Sequence, residues 1–88
     1  MNNTGIAVVS ILLEGRKMNR YQNLNGNSSI YGYSIESDRI SVTFNDGRTY
    51  SYSYGRAGKN HVDTMKVLAE RGSGLNSYIM RNVRYLYD

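Results

Sequence analysis

Cysteine, proline and tryptophan are all missing from this 88-residue chain, and phenylalanine occurs once. Without cysteine there is no disulfide, no thiol nucleophile and no Cys-based zinc site. The lone histidine, His61, cannot build a multi-histidine metal site, so neither a metal nor another cofactor is expected. Without proline there is no proline-rich linker or ligand segment. Long apolar runs are missing too. The strongest, Ile6 to Leu13, is eight residues long and too short to span a bilayer. It has no basic segment before it and no small-residue cleavage site after it, so it does not read as a signal peptide. A cytoplasmic protein with no membrane association is the expectation.

What the chain does have is tyrosine, nine of them. A single domain of this size buries only about 60–65% of its unfolded surface. Each buried tyrosine removes ~150–250 Å² from water, so these rings are the main source of aromatic core. Three fall in one stretch, Tyr50, Tyr52 and Tyr54, behind the turn Asn45-Asp46-Gly47 and the alternating Ile40, Val42 and Phe44. Strand residues two apart share a face, so this is a β-hairpin. Its register depends on the loop. A two-residue Asp46-Gly47 loop sets the tyrosines on the face opposite Ile40, Val42 and Phe44, where they are exposed. A three-residue Asn45-Asp46-Gly47 loop with Gly47 left-handed pairs Val42 with Tyr50 and Ile40 with Tyr52, gathering all the bulky residues on one side. The second register is favoured because it leaves only Ser41, Thr43, Ser51 and Ser53 on the other face.

Around the hairpin, residues 1 to 27 read as an amino-terminal extension and residues 28 to 88 as the domain. Ile6 to Leu13 is expected to fold onto the domain as a strand or short helix, or to pair with a second copy in a homo-oligomer. Met18 offers an alternative start, because Glu14-Gly15-Arg16 can be encoded by purine-rich codons like those of a bacterial ribosome-binding site. Asn19 to Asn27 is polar and loop-like, with a turn at Asn25-Gly26-Asn27. Ser29 to Ile35 is a strand with Tyr31, Tyr33 and Ile35 on one face and Ile30, Gly32 and Ser34 on the other. Gly32 allows a bulge or a close backbone approach. Gly55 to Lys59 reads as a loop, and Asn60 as the N-cap of a helix carrying Val62, Met65, Leu68 and Ala69 and ended by Gly72. Leu75, Tyr78, Ile79 and Val83 mark a second, shorter helix, followed by an extended or frayed Tyr85-Leu86-Tyr87. The expected fold is α+β: a small antiparallel sheet built on the central hairpin, with one long and one shorter helix packed on one face. Its core is Ile40, Val42, Phe44, Tyr50, Tyr52, Met65, Leu68, Leu75 and Ile79.

No enzyme emerges from these residues. Glu36 and Asp38 lie in a polar turn and read as a solvated connection, His61 as a surface residue of the first helical turn. Gly72-Ser73-Gly74 lacks the Lys-Ser/Thr and the preceding strand of a phosphate loop, and reads as a hinge between helices. The net charge of +4 suits an anionic partner, either nucleic acid or an acidic protein surface. Two stretches free of acids carry the excess, Arg48 to Lys59 and Arg71 to Arg84. Arg48, Arg56, Lys59, Arg81 and Arg84 are therefore the candidate phosphate-contacting residues, with exposed tyrosines as stacking platforms.

The order of signals resembles the KTSC domain, a small family named for the C-terminal domain of some lysyl-tRNA synthetases and also found as stand-alone bacterial proteins. The matching residues are Ser28-Ser29-Ile30, Gly32-Tyr33, Val42-x-Phe44, Gly47 and Tyr50-x-Tyr52, then Met65 and Leu68, then Gly74-Leu75-Asn76, Ile79, Arg81 and Tyr85. Gly55-Arg56 stands where the family often has a proline. The resemblance implies a compact α+β binding module of bacteria or their phages, with RNA suggested by the attachment to synthetases, and it carries over no catalytic residue. The alternative is a small phage- or mobile-element-encoded factor that binds and inhibits a host protein machine.

Overall fold

A computed structural model describes residues 18–88. The readings placed on Ile6 to Leu13, its packing and its part in self-association, lie outside the described residues. The four strands are β1 (Asn19–Arg20), β2 (Ile30–Glu36), β3 (Arg39–Phe44) and β4 (Thr49–Ser53). They form one antiparallel sheet in chain order.

The hairpin uses the three-residue loop. The Phe44 N–H donates to the Arg48 carbonyl at 2.8 Å, the Gly47 N–H to the Phe44 carbonyl at 2.9 Å, and Gly47 sits at φ +93°. Asp46 Oδ1 accepts from the Arg48 N–H at 2.9 Å, fixing the turn. Val42 is therefore opposite Tyr50 and Ile40 opposite Tyr52. Tyr52 is 1% exposed. On the other face Ser41 and Ser51 share a hydrogen bond of 2.8 Å, and Thr43 and Thr49 one of 2.9 Å.

Tyr54 does not join the ladder. Ser53 Oγ accepts from the Arg56 N–H at 3.3 Å and caps a helical turn, α1 (Tyr54–Ala57), where a loop was expected. The long helix α2 (Lys59–Arg71) follows at once, with Gly58 as its N-cap rather than Asn60. Gly58 closes α1 through its N–H to the Tyr54 carbonyl and opens α2 through its carbonyl to the Val62 N–H, each at 3.0 Å. It holds φ +103°, so a glycine takes the place that a side-chain cap would fill.

A bulge corrects the face assignment of β2. Ile30 pairs with Phe44 and Gly32 with Thr43, leaving Tyr31 as the extra residue. Counting through that extra residue turns Ile30 into the core beside Tyr33 and pushes Tyr31 out to 41% exposure, where the Arg20 guanidinium lies 4.2 Å above its ring. The polar segment after Met18 also holds more structure than its composition suggests. Asn19 and Arg20 pair with β2 as β1. Tyr21 is buried at 4% exposure, and its hydroxyl accepts from the Leu75 N–H at 3.3 Å.

Helix α2 buries Val62, Met65 and Ala69 and ends at Gly72, whose N–H reaches the Leu68 and Ala69 carbonyls at φ +82°. After Gly74, α3 (Leu75–Tyr78) runs into a wider π-helical turn, Ile79–Val83. Leu75, Ile79 and Val83 enter the same core as Ile40, Val42 and Tyr52, so both helices cover one face of the sheet. Phe44, Tyr50 and Leu68, expected inside, are half-buried at the rim of that core. No helix among the described residues is long and apolar enough to cross a membrane.

Candidate functional site

The rim position of Phe44 and Tyr50 has a structural cause. They lie at the hairpin end of the sheet, past the cover supplied by the helices, and open into a groove of about 500 Å³. Arg48 enters it directly after the Gly47 turn. Met80 and Arg84, four residues apart, enter it from the π-helical turn and the residue after it, while Tyr52 is among the deeper lining residues. Tyr85 and Tyr87 line it from the tail of the domain.

The tail is anchored along β4 rather than frayed. The Asp88 N–H donates to the Ser51 carbonyl at 2.8 Å. Its carboxylate accepts from the Ser53 hydroxyl at 2.8 Å and meets Arg39 Nη1 at 3.3 Å. This anchor sets the Tyr87 ring edge-on to Tyr50, with centroids 4.7 Å apart, and Tyr50 is in turn edge-on to Phe44 at 5.8 Å. Such contacts hold the rings in defined orientations.

The groove's lining carries two guanidinium groups, one carboxylate, Asp46, and several phenols. A hydrogen bond to the Tyr50 side chain, with the Asp46 charge in support, holds the Arg48 guanidinium above its ordinary pKa. Asp46 lies 3.7 Å from Arg48 Nε, a pair open to water and of small energetic weight. Arg84 makes no ion pair among the described residues, and its guanidinium lies 5.5 Å from the Tyr85 ring centre. Burial, reinforced by the neighbouring Tyr50 and Tyr87 phenols, pushes the Tyr52 hydroxyl up to about 12. The groove therefore offers ring faces for stacking and guanidinium forks for phosphate or carboxylate.

Of the five cations expected to act together, the fold unites two, Arg48 and Arg84. Arg56 and Lys59 sit at the α1–α2 corner, away from the groove lining. Lys59 is spent there on Asp63, Nζ to Oδ2 2.8 Å, and the Tyr54 hydroxyl donates to the same carboxylate at 2.7 Å. The lysine hydrogen bond, and after it the tyrosine's, hold Asp63 below the usual carboxylate range. Arg81 is exposed on the π-helical turn and does not line the groove. His61, read as a surface residue, is half-buried with Nδ1 2.7 Å from the Tyr78 hydroxyl. Glu36 and Asp38 flank Arg39 at 3.7 and 3.8 Å in the β2–β3 turn. No cluster of three or more metal-ligating side chains occurs among the described residues.

The chain matches no protein-family model, no curated protein and no solved structure. Function is therefore read from the groove's own chemistry. Met80, Tyr85 and Tyr87, which charge alone does not single out, also line the groove. The signal for the two tyrosines was present: Tyr85-Leu86-Tyr87 alternates, so an extended chain puts both rings on one side.

Proposed function

We propose that this protein is a non-enzymatic nucleic-acid-binding module of the cytoplasm, with RNA as its partner, and that the groove is where it binds. The observation that carries the reading is the convergence of Arg48 and Arg84, distant in sequence, on one groove walled by exposed tyrosines. The net charge of +4 favours a polyanion. The resemblance to the KTSC domain, with its link to synthetases, adds to the choice of RNA.

Fluorescence anisotropy with labelled RNA over a salt series tests it. Each phosphate neutralised on a single strand contributes about −0.7 to the slope of log K against log salt. Changing Arg48 and Arg84 together to Ala should flatten the slope by about 1.4 and weaken binding at low salt. Changing Arg56 and Lys59 together should leave both unaltered. Binding indifferent to salt and to the first pair of changes overturns the reading. The same Tyr and Arg composition also dominates protein–protein hot spots, which favours, as the second reading, a phage- or mobile-element-encoded inhibitor of a host protein. A host protein retained on the immobilised domain after nuclease treatment, and released by the Arg48 and Arg84 changes, would favour that reading.

A further inference from the structure

We infer that the groove takes unpaired nucleotides and rejects duplex, its tyrosines stacking on bases while Arg48 and Arg84 hold flanking phosphates. This inference rests on the nucleic-acid reading above and narrows it.

Shape gives the first reason. Proteins that read duplex project a helix or ribbon into the major groove, or wedge side chains into the minor groove. The surface here recedes: the hairpin, the π-helical turn and the tail enclose a depression of about 500 Å³, the size of a small-molecule site. The second reason is the kind of group on offer. Tyr85 is 70% exposed and Tyr87 40%. In a duplex the faces of the bases are covered by their neighbours, and such rings would have nothing to stack on. An unpaired base has a free face, and stacking on it tolerates any sequence. Preorganisation is the third. Tyr87 is held before any ligand arrives, by the Tyr50 edge contact on one side and the Asp88 anchor next in the chain. Little side-chain freedom is then left to lose on binding. Charge adds to the match, since two arginines from different elements outnumber the one lining carboxylate, Asp46, whose exposed pair with Arg48 is weak, and suit a strand crossing the groove with two phosphates.

Single-stranded RNA and single-stranded DNA share this chemistry, and the test separates them. Anisotropy titrations on the full chain use a labelled oligo-uridine 8-mer, the oligo-deoxythymidine 8-mer and an RNA duplex of similar charge. The expected result is single-strand binding at least tenfold tighter than duplex, with a salt slope of about −1.4 for two phosphates. Tyr85→Leu and Tyr87→Leu should each weaken it by roughly fivefold or more, and Tyr85→Phe should retain it. Because Tyr85 is largely exposed, its variants should keep the parent's thermal midpoint, which separates lost binding from lost folding. Equal affinity for the two 8-mers supports the inference with any single strand as ligand. Tighter binding of the RNA supports it with RNA as ligand. Duplex bound as tightly as single strand overturns the inference and leaves the nucleic-acid reading standing. So does single-strand binding unmoved by both leucine changes. If no nucleic acid binds, both fall.

Discussion

Tyr52→Ala removes a ring that faces Ile40 across the hairpin and shares a buried cluster with Met65. The cavity should cost on the order of 3–5 kcal/mol, a large part of the ~5–15 kcal/mol that holds a domain together. Denaturant melts would show it as a lowered midpoint, and an unchanged midpoint would contradict the hairpin register. The same residue makes a pH prediction. Its folded pKa of about 12 lies above the ordinary phenol value of 10. The native state therefore favours the neutral phenol, and that contribution is complete below pH 10 and lost as pH rises toward 12. At about 1.4 kcal/mol per pKa unit, up to roughly 2–3 kcal/mol disappears across the window. Tyr33, raised chiefly by burial, acts in the same direction. Melts at pH 9.5 and 11.5 should show a smaller loss for Tyr52→Phe than for the parent, and equal losses would refute the assignment. Tyr52 was legible because a count of loop residues settled its face. Tyr21 was not, because one aromatic among Asn, Gln and Arg has no period, and its partner Leu75 lies far along the chain.

Among the elements, two glycines with positive φ separate backbone strain from steric strain. Gly47 at φ +93° has open space where a Cβ would stand. Gly72 at φ +82° closes α2, and a Cβ there would come 2.6 Å from Gln22 Cβ. Gly47→Ala should then cost about 1–2 kcal/mol for the left-handed backbone alone. Gly72→Ala should cost distinctly more. Equal costs in parallel urea titrations would mean that the segment carrying Gln22 moves aside. Helix α2 was legible to within a residue or two because its apolar spacing and its terminal glycine agree. The bulge in β2 was legible at Gly32, but its effect on the two faces was hidden by Tyr31, Tyr33 and Ile35, which already alternate without a fault. What defeats that alternation is Ile30, drawn to the core opposite Phe44. Likewise the run Tyr50, Tyr52, Tyr54 continues the strand pattern on paper past the point where Ser53 caps a helical turn.

At the scale of the whole fold, the sheet order follows the chain, and every strand among the described residues pairs with its sequence neighbour. Such pairings close short loops and fold without a long search. With no proline in the sequence, refolding also lacks the step that isomerises over roughly 10–100 s at 25 °C. Stopped-flow refolding should be complete within seconds and unaffected by a prolyl isomerase, and a slow isomerase-sensitive phase would contradict this. Net charge was legible at this scale and its arrangement was not. Only the fold brings Arg84 to the same groove as Arg48, whereas the exposed Lys59–Asp63 pair follows from an i,i+4 spacing on α2. The bulge at Tyr31 and the three-residue loop at Asn45-Asp46-Gly47 also constrain how this lineage can drift. Each fixes an odd or even count between the residues that share the core face, so one residue gained or lost between Ile30 and Tyr52 exchanges core for water along a whole strand. Descendants of this chain should therefore vary by substitution through that interval. Gaps in their alignment should gather instead in the turn from Asn25 to Asn27, where the residues are exposed and no ladder has to be kept in step.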